Sequence, residues 1–123
     1  MTRFKRFVPV LRVTDLQAAI DYYSRHFGAS VCWRAPNDGE GENCMLALGE
    51  VNLMFSTGSH LGDVPHFSGT LYLDVDGVEA LYEKVRGQVA VLWPLEVMDY
   101  GQKEFGVRDC NGYTLAFAEA VAE

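Results

Sequence analysis

Few side chains in this chain have the types and spacing that proton, metal or nucleophile chemistry requires. His60 and His66 lie six residues apart with Asp63 between them, in the segment STGSHLGDVPHFS. Two imidazoles and a carboxylate can hold a metal ion or act as an acid–base group. No spacing motif accompanies them, and polar loops carry such residues by chance. His26 closes a helical pattern, a place where the helix dipole favours a cation at the surface. Cys32, Cys44 and Cys110 are odd in number and lack CxxC spacing. They predict neither a disulfide framework nor a zinc knuckle, but structural or half-exposed thiols in a reducing cytoplasm. Cys44 and His60 carry no signature of a nucleophile and its base. No G-x-S-x-G elbow occurs, and no Gly-rich phosphate loop follows a strand. Asp74, Asp99 and Glu104 remain as sources of negative charge for a cationic group.

The whole chain narrows the choice further. It has 123 residues, 49% hydrophobic and 12% aromatic, with 10 Lys+Arg against 17 Asp+Glu and a net charge of −7. That length suits one domain or two half-domains, and the apolar content argues against disorder. The acidic balance argues against a nucleic-acid partner, which would need a basic stripe. No window approaches the ~18 apolar residues of a membrane span. The start MTRFKRFVPVLRV is interrupted by Arg12 and lacks a small-residue cleavage site, so it does not read as a signal peptide. The expected location is the cytoplasm.

The elements that must position any site repeat. FVPVLRV (7–13) predicts a strand. Thr14 or Asp15 can cap a helix with Leu16, Ile20, Tyr23 and Phe27 on one face, stopped by Gly28. SVCWRA (30–35) predicts a strand, PNDGEGEN a polar loop, and CMLALG and VNLMFST two strands joined tightly at Gly49-Glu50. The order then returns. TLYLDV (70–75) is a strand; Asp76 caps a helix with Val78, Leu81, Tyr82 and Val85 inward, ended by Gly87. VAVLW is a strand and PLEVMDYGQ a loop. KEFGVRD and YTLAFAE are strands about the turn Cys110-Asn111-Gly112. Val13 matches Val75, Leu16 matches Val78 and Met54 matches Ala116, each 62 residues apart. The fold class predicted is α+β, with two duplicated βαβββ modules at about 5–57 and 68–120 within a single domain, 1–123.

Within this duplication stand V-x-D-L-x-x-A-x-x-Y-Y around Val13 to Tyr23 and V-D-G-V-E-A at Val75 to Ala80. With the duplication, these runs resemble the vicinal oxygen chelate superfamily, which includes glyoxalase I, extradiol dioxygenases, fosfomycin-resistance enzymes and bleomycin resistance proteins. The most specific run is Y-G-x-x-E-F-x-V-x-D-x-x-G-Y-x-L-x-F, from Tyr100 to Phe117. It resembles the bleomycin-resistance-like branch, with Cys110 where Pro is common. The resemblance implies curved mixed sheets forming a cleft, with helices outside. It also implies a divalent ion on four strand positions, which fall here at Val8, Met54, Thr70 and Ala116. None offers an imidazole or carboxylate, so no metal, no cofactor and no catalytic residue is expected.

Strand alternation from these positions predicts a cleft face of Val8, Val10, Arg12, Asn52, Met54, Ser56, Thr70, Tyr72, Asp74, Thr114 and Ala116. Leu11, Val13, Leu53, Phe55, Leu71, Leu73, Val75, Leu115 and Phe117 face the helices. Pairing across Gly49-Glu50 sets Met45 beside Met54, and the same offset sets Phe105 and Val107 on the cleft side. With Trp33 and Trp93 at the outer ends of their strands and Tyr100 before the signature, the ligand-binding set is Trp33, Met45, Met54, Tyr72, Asp74, Trp93, Tyr100 and Phe105. Aromatic and Met side chains suit a flat ligand, and the carboxylates suit a cationic one. Trp33 and Trp93 also fit packing or a dimer interface, Met45 and Met54 a core, and Asp74 a helix cap. The reading is a metal-independent binding protein, resembling bleomycin resistance proteins, that sequesters a small planar aromatic or cationic molecule in the cleft of a homodimer. The alternative is a lyase, isomerase or dioxygenase-like enzyme with a non-standard site using His60, His66 or Glu104.

Overall fold

The computed structural model describes residues 1–36 and 41–122. The loop expected over 36–43 therefore falls in part outside the described residues. The chain divides into two compact units, Met1–Pro65 and the residues from His66 onward.

The first unit runs β1 (Val10–Arg12), α1 (Leu16–Phe27), β2 (Ser30–Pro36), β3 (Glu42–Leu48) and β4 (Val51–Ser56), then a 3-10 turn, Ser59–Leu61. Its sheet has the order β1-β4-β3-β2, with β1 parallel to β4 and the other neighbours antiparallel. The second unit repeats this as β5 (Thr70–Asp74), α2 (Val78–Val85), β6 (Ala90–Val97), β7 (Gln102–Arg108) and β8 (Thr114–Ala120), in the order β5-β8-β7-β6. The fold is α+β, two βαβββ modules each with an open mixed sheet. No helix among the described residues is long and apolar enough to cross a membrane.

Each helix covers one face of its sheet, α1 against β3 and β4 and α2 against β7 and β8. Asp15 caps α1, its Oδ1 accepting from Ala18 N at 3.0 Å, and Gly28 ends it at φ 70°. Leu16, Ala19, Ile20, Tyr23 and His26 are its buried stripe. His26 is thus no surface residue: its ring packs edge-on against Tyr22 at 4.7 Å. The second helix corrects another expectation. Asp76 does not cap α2; Glu119 on β8 does, its Oε1 accepting from Gly77 N at 3.2 Å and Val78 N at 3.1 Å. A carboxylate from a neighbouring strand meets the free first-turn N–H groups as well as a local cap would.

Two strands differ in length from expectation. β1 begins only at Val10, leaving Phe7 exposed. β6 does not stop at Trp93 but runs through Pro94 to Val97, with a register irregularity between Trp93 and Glu96. Proline has no N–H for the ladder, and the irregularity at this outer strand accommodates it.

Six of the nine residues expected to face the helices are buried, while Leu71, Leu73 and Val75 are only half-buried. Leu11, Val13, Leu53, Phe55, Leu115 and Phe117 are all buried. Tyr23 packs edge-on to Phe55 at 5.0 Å in the first unit.

Candidate functional site

The face of each sheet opposite its helix holds Trp33, Met45, Met54, Tyr72, Asp74 and Trp93. Directly paired residues on neighbouring strands share a face, so the register defines each row. In the first unit one row is Val10, Met54, Met45 and Trp33. Met45 pairs with Met54 because the two-residue turn Gly49-Glu50, with Gly49 at φ 57°, sets Leu48 against Val51. Trp33 joins the row through a bulge. Val31 pairs with Leu46 on the helix side, the register shifts across Cys32, and Trp33 then lies opposite Met45. One extra residue turns the strand over at that point. The row is apolar, with Trp33 and Val10 exposed, Met54 half-buried and Met45 buried. Arg12, on the same face, donates to the carbonyls of Gly62 (3.0 Å) and Asp63 (3.4 Å), which ties the loop after the 3-10 turn to β1.

In the second unit the corresponding row is Tyr72, Ala116, Gly106 and Trp93. A second bulge acts here: Val91 pairs with Val107, the register shifts across Leu92, and Trp93 lies opposite Gly106. The next row holds Asp74, Ala118, Glu104 and Glu96. Asp74 is exposed on this open face and, with Gln102 and Glu119, lines a cavity of about 410 Å³. It is not a helix cap.

Phe105 does not belong to this face. It pairs with Phe117, whose ring is stacked on it at 5.3 Å, and it meets Tyr82 of α2 at 5.0 Å. Val107 likewise pairs with Leu115 in the core. The reason is turn length. Cys110-Asn111-Gly112 is a three-residue loop closed by Asp109 N to Tyr113 O, against two residues in the first unit. One added residue slides β7 by one position and exchanges its faces. Gly106 therefore stands where Met45 stands in the first unit. Asp109 Oδ1 holds the longer loop, accepting from Asn111 N and Tyr113 N, both at 2.8 Å.

The same slide brings Glu104 to the open face, where it becomes a hub. Its Oε1 accepts from the Tyr72 hydroxyl at 2.8 Å and from the Tyr100 hydroxyl, and its Oε2 accepts from Trp93 Nε1 at 3.2 Å. The carboxylate residue is only 3% exposed. Among the described residues no Lys, Arg or His forms an ion pair with it. The Tyr100 phenol is held well above its ordinary pKa, first because ionising it would forfeit the bond to Glu104, then by loss of water. The Tyr72 phenol is raised too, by removal from water first and the Glu104 bond second. Three of the aromatic candidates thus converge on one carboxylate, which the sequence offers as a source of negative charge or as a base in the alternative enzyme reading, without these partners. The signal that finds it is the length of the Cys110-Asn111-Gly112 turn.

Of the four positions that the resemblance would give to a metal, Met54, Thr70 and Ala116 lie on the same faces. Val8 precedes β1, Met54 lies on β4, Thr70 opens β5 and Ala116 lies on β8. A thioether and a hydroxyl among two aliphatic side chains do not fit a hard divalent ion. Among the described residues no group of three or more His, Cys, Asp or Glu is arranged to hold a metal. His60 is exposed in the 3-10 turn of the first unit and His66 is exposed at the start of the second. Cys44 is buried, and burial pushes its thiol pKa up; Cys32 and Cys110 are exposed.

No curated protein matches the chain. Among solved structures, TioX from Micromonospora sp. ML1 is similar at 23% identity and TM-score 0.72, covering 97% of this chain and 98% of TioX. A bleomycin-binding protein from bleomycin-producing Streptomyces verticillus, solved with copper(II)-bleomycin, is similar at 22% identity and TM-score 0.68 over 100% of both chains. A superfamily member from Sphaerobacter thermophilus DSM 20745 is similar at 19% identity and TM-score 0.75, covering 94% and 98%. These likenesses show the fold. The family model for the glyoxalase/bleomycin resistance protein/dioxygenase superfamily matches residues 3–117, and the chain belongs to that superfamily.

Proposed function

We propose that this protein is a metal-independent binder that sequesters a small planar compound, cationic where it meets Glu104. The observation that carries the reading is the convergence of Tyr72, Trp93 and Tyr100 on one buried carboxylate, on a sheet face whose metal positions lack donors. Aromatic faces attract flat rings and cations, and the thioethers of Met45 and Met54 adapt to an irregular outline. The mechanism is stoichiometric: the compound is held and kept from its target, and no bond is made or broken. The likeness to a bleomycin-binding protein supports bleomycin-type compounds as first probes.

The protein acts as a homodimer in this reading. β1 and β5 each have a neighbour on one side only, and an uncovered strand edge favours pairing with another chain. The cysteine usage suits a reducing cytoplasm.

Titration calorimetry with bleomycin, metal-free and copper-loaded, and with planar aromatic cations tests the binding reading. Saturable binding that weakens in Trp93→Ala is expected. Absence of heat and of fluorescence change with every compound overturns it. A monomeric mass at micromolar concentration overturns the dimer.

A further inference from the structure

We infer that Glu104 selects a flat cation bearing an N–H donor, and that this donor takes the place of the Tyr100 hydroxyl on the carboxylate. The inference deepens the binding reading above and rests on it.

Glu104 is almost fully buried, yet its hydrogen-bond partners are neutral and no cationic side chain pairs with it among the described residues. A buried charge held by neutral donors alone stays short of a counter-charge. A cationic ligand supplies it.

The three donors are not equivalent. Tyr72 sits on β5 and Trp93 on β6, both held by the sheet ladder. Tyr100 sits on the tight turn between β6 and β7, where Met98 N reaches Gln102 O and Gly101 N reaches Met98 O. Its side chain is largely open to solvent, with the hydroxyl end alone on the carboxylate. Tyr100 is therefore the donor that can swing away. The carboxylate itself offers almost no free surface, so a ligand reaches Oε1 by displacing a hydroxyl. A displaced hydroxyl leaves a buried acceptor unmet unless the ligand brings a donor of its own. A quaternary ammonium brings charge without a donor. A protonated amino-heteroaromatic or amidinium brings both, in a plane that suits the neighbouring rings.

Three probes of one outline separate these demands in a mildly alkaline buffer: 9-aminoacridine (a cation with N–H donors), 10-methylacridinium (a cation without them) and neutral acridine. Their affinities are measured by titration calorimetry on the full chain, as wild type, Glu104→Gln and Tyr100→Phe, with circular dichroism confirming that each variant is folded. The wild type is expected to bind 9-aminoacridine at least about tenfold more tightly than 10-methylacridinium, the scale of one hydrogen bond to a charged group. Glu104→Gln should erase that preference and leave acridine unchanged. Tyr100→Phe, which removes the competing hydroxyl, should tighten 9-aminoacridine several-fold and leave acridine alone. Equal binding of the two cations, or loss of all three probes alike in Glu104→Gln, overturns the inference while leaving the binding reading in place. If Glu104→Gln fails to fold, unchanged 9-aminoacridine affinity in Tyr100→Phe overturns it. Failure of the wild type to bind any of the three overturns both.

Discussion

Trp93 lies over Gly106 so closely that a β-carbon on the glycine would overlap the indole Cδ2, Cε3 and Cζ3 atoms. A rigid fused ring cannot yield as the tip of a flexible chain does. Gly106→Ala should displace Trp93 and draw its Nε1 from Glu104, at a cost of about 1–3 kcal/mol typical of overpacking. Urea denaturation checks the loss of stability, and a red shift of tryptophan emission checks the displacement. An unchanged midpoint with unchanged emission would show that the ring accommodates the methyl group without moving.

The phenols on Glu104 make stability sensitive to alkali. Tyr72 and Tyr100 both have folded-state pKa values above the unfolded value of 10.0. The folded state therefore holds their protons more firmly, and their contribution is complete below that value and fades as the pH climbs through the folded values. Ultraviolet titration should show the phenols of Tyr72 and Tyr100 ionising late or together with unfolding. In Glu104→Gln those two should titrate earlier. An alkaline titration identical in wild type and Glu104→Gln would contradict the bonds to Glu104.

Helix α2 offers a paired test of its cap. Glu119→Ala removes the acceptor for Gly77 N and Val78 N and should cost about 1 kcal/mol. Asp76→Ala should be close to neutral, because Asp76 is exposed and does not cap the helix. Thermal melts of the two variants measure the difference, and the reverse ranking would restore Asp76 as the cap.

Phe105 should govern stability rather than binding. Its ring is wholly buried between Phe117 and Tyr82, so Phe105→Ala should cost about 3–5 kcal/mol. Met54→Ala, on the half-buried open face, should cost far less. Denaturant midpoints of the two variants decide; a mild effect of Phe105→Ala would move that ring out of the core.

The element order was legible because hydrophobic period, helix caps and glycine turns agree with one another at nearly every junction. Asp15 and Gly28 bracket α1 where the periodicity starts and stops, and the apolar positions of β4 and β8 alternate without interruption. What escaped were single-residue events. The repeat spacing of 62 holds for β1 with β5 and for β4 with β8, but Met45 corresponds to Gly106 and Trp33 to Trp93, which are 61 and 60 apart. A one-residue difference in turn length and a bulge in each outer strand leave hydrophobicity patterns almost unchanged, yet each reverses which way a side chain points. The Glu104 hub was hidden for that reason. Pro94 misled in the opposite direction: its missing N–H argues for a strand end, and an irregular outer strand absorbs it. The cap from Glu119 was out of reach because it comes from 41 residues away.

The loop Cys110-Asn111-Gly112 carries an evolutionary corollary. Adding or deleting a single codon there trades an entire strand's hidden side chains for its presented ones, so twin halves of a duplicated gene can acquire unlike surfaces without altering any other amino acid. Here the outcome is a sulfur-lined sheet in one half and an anion ringed by phenols and indole in the other.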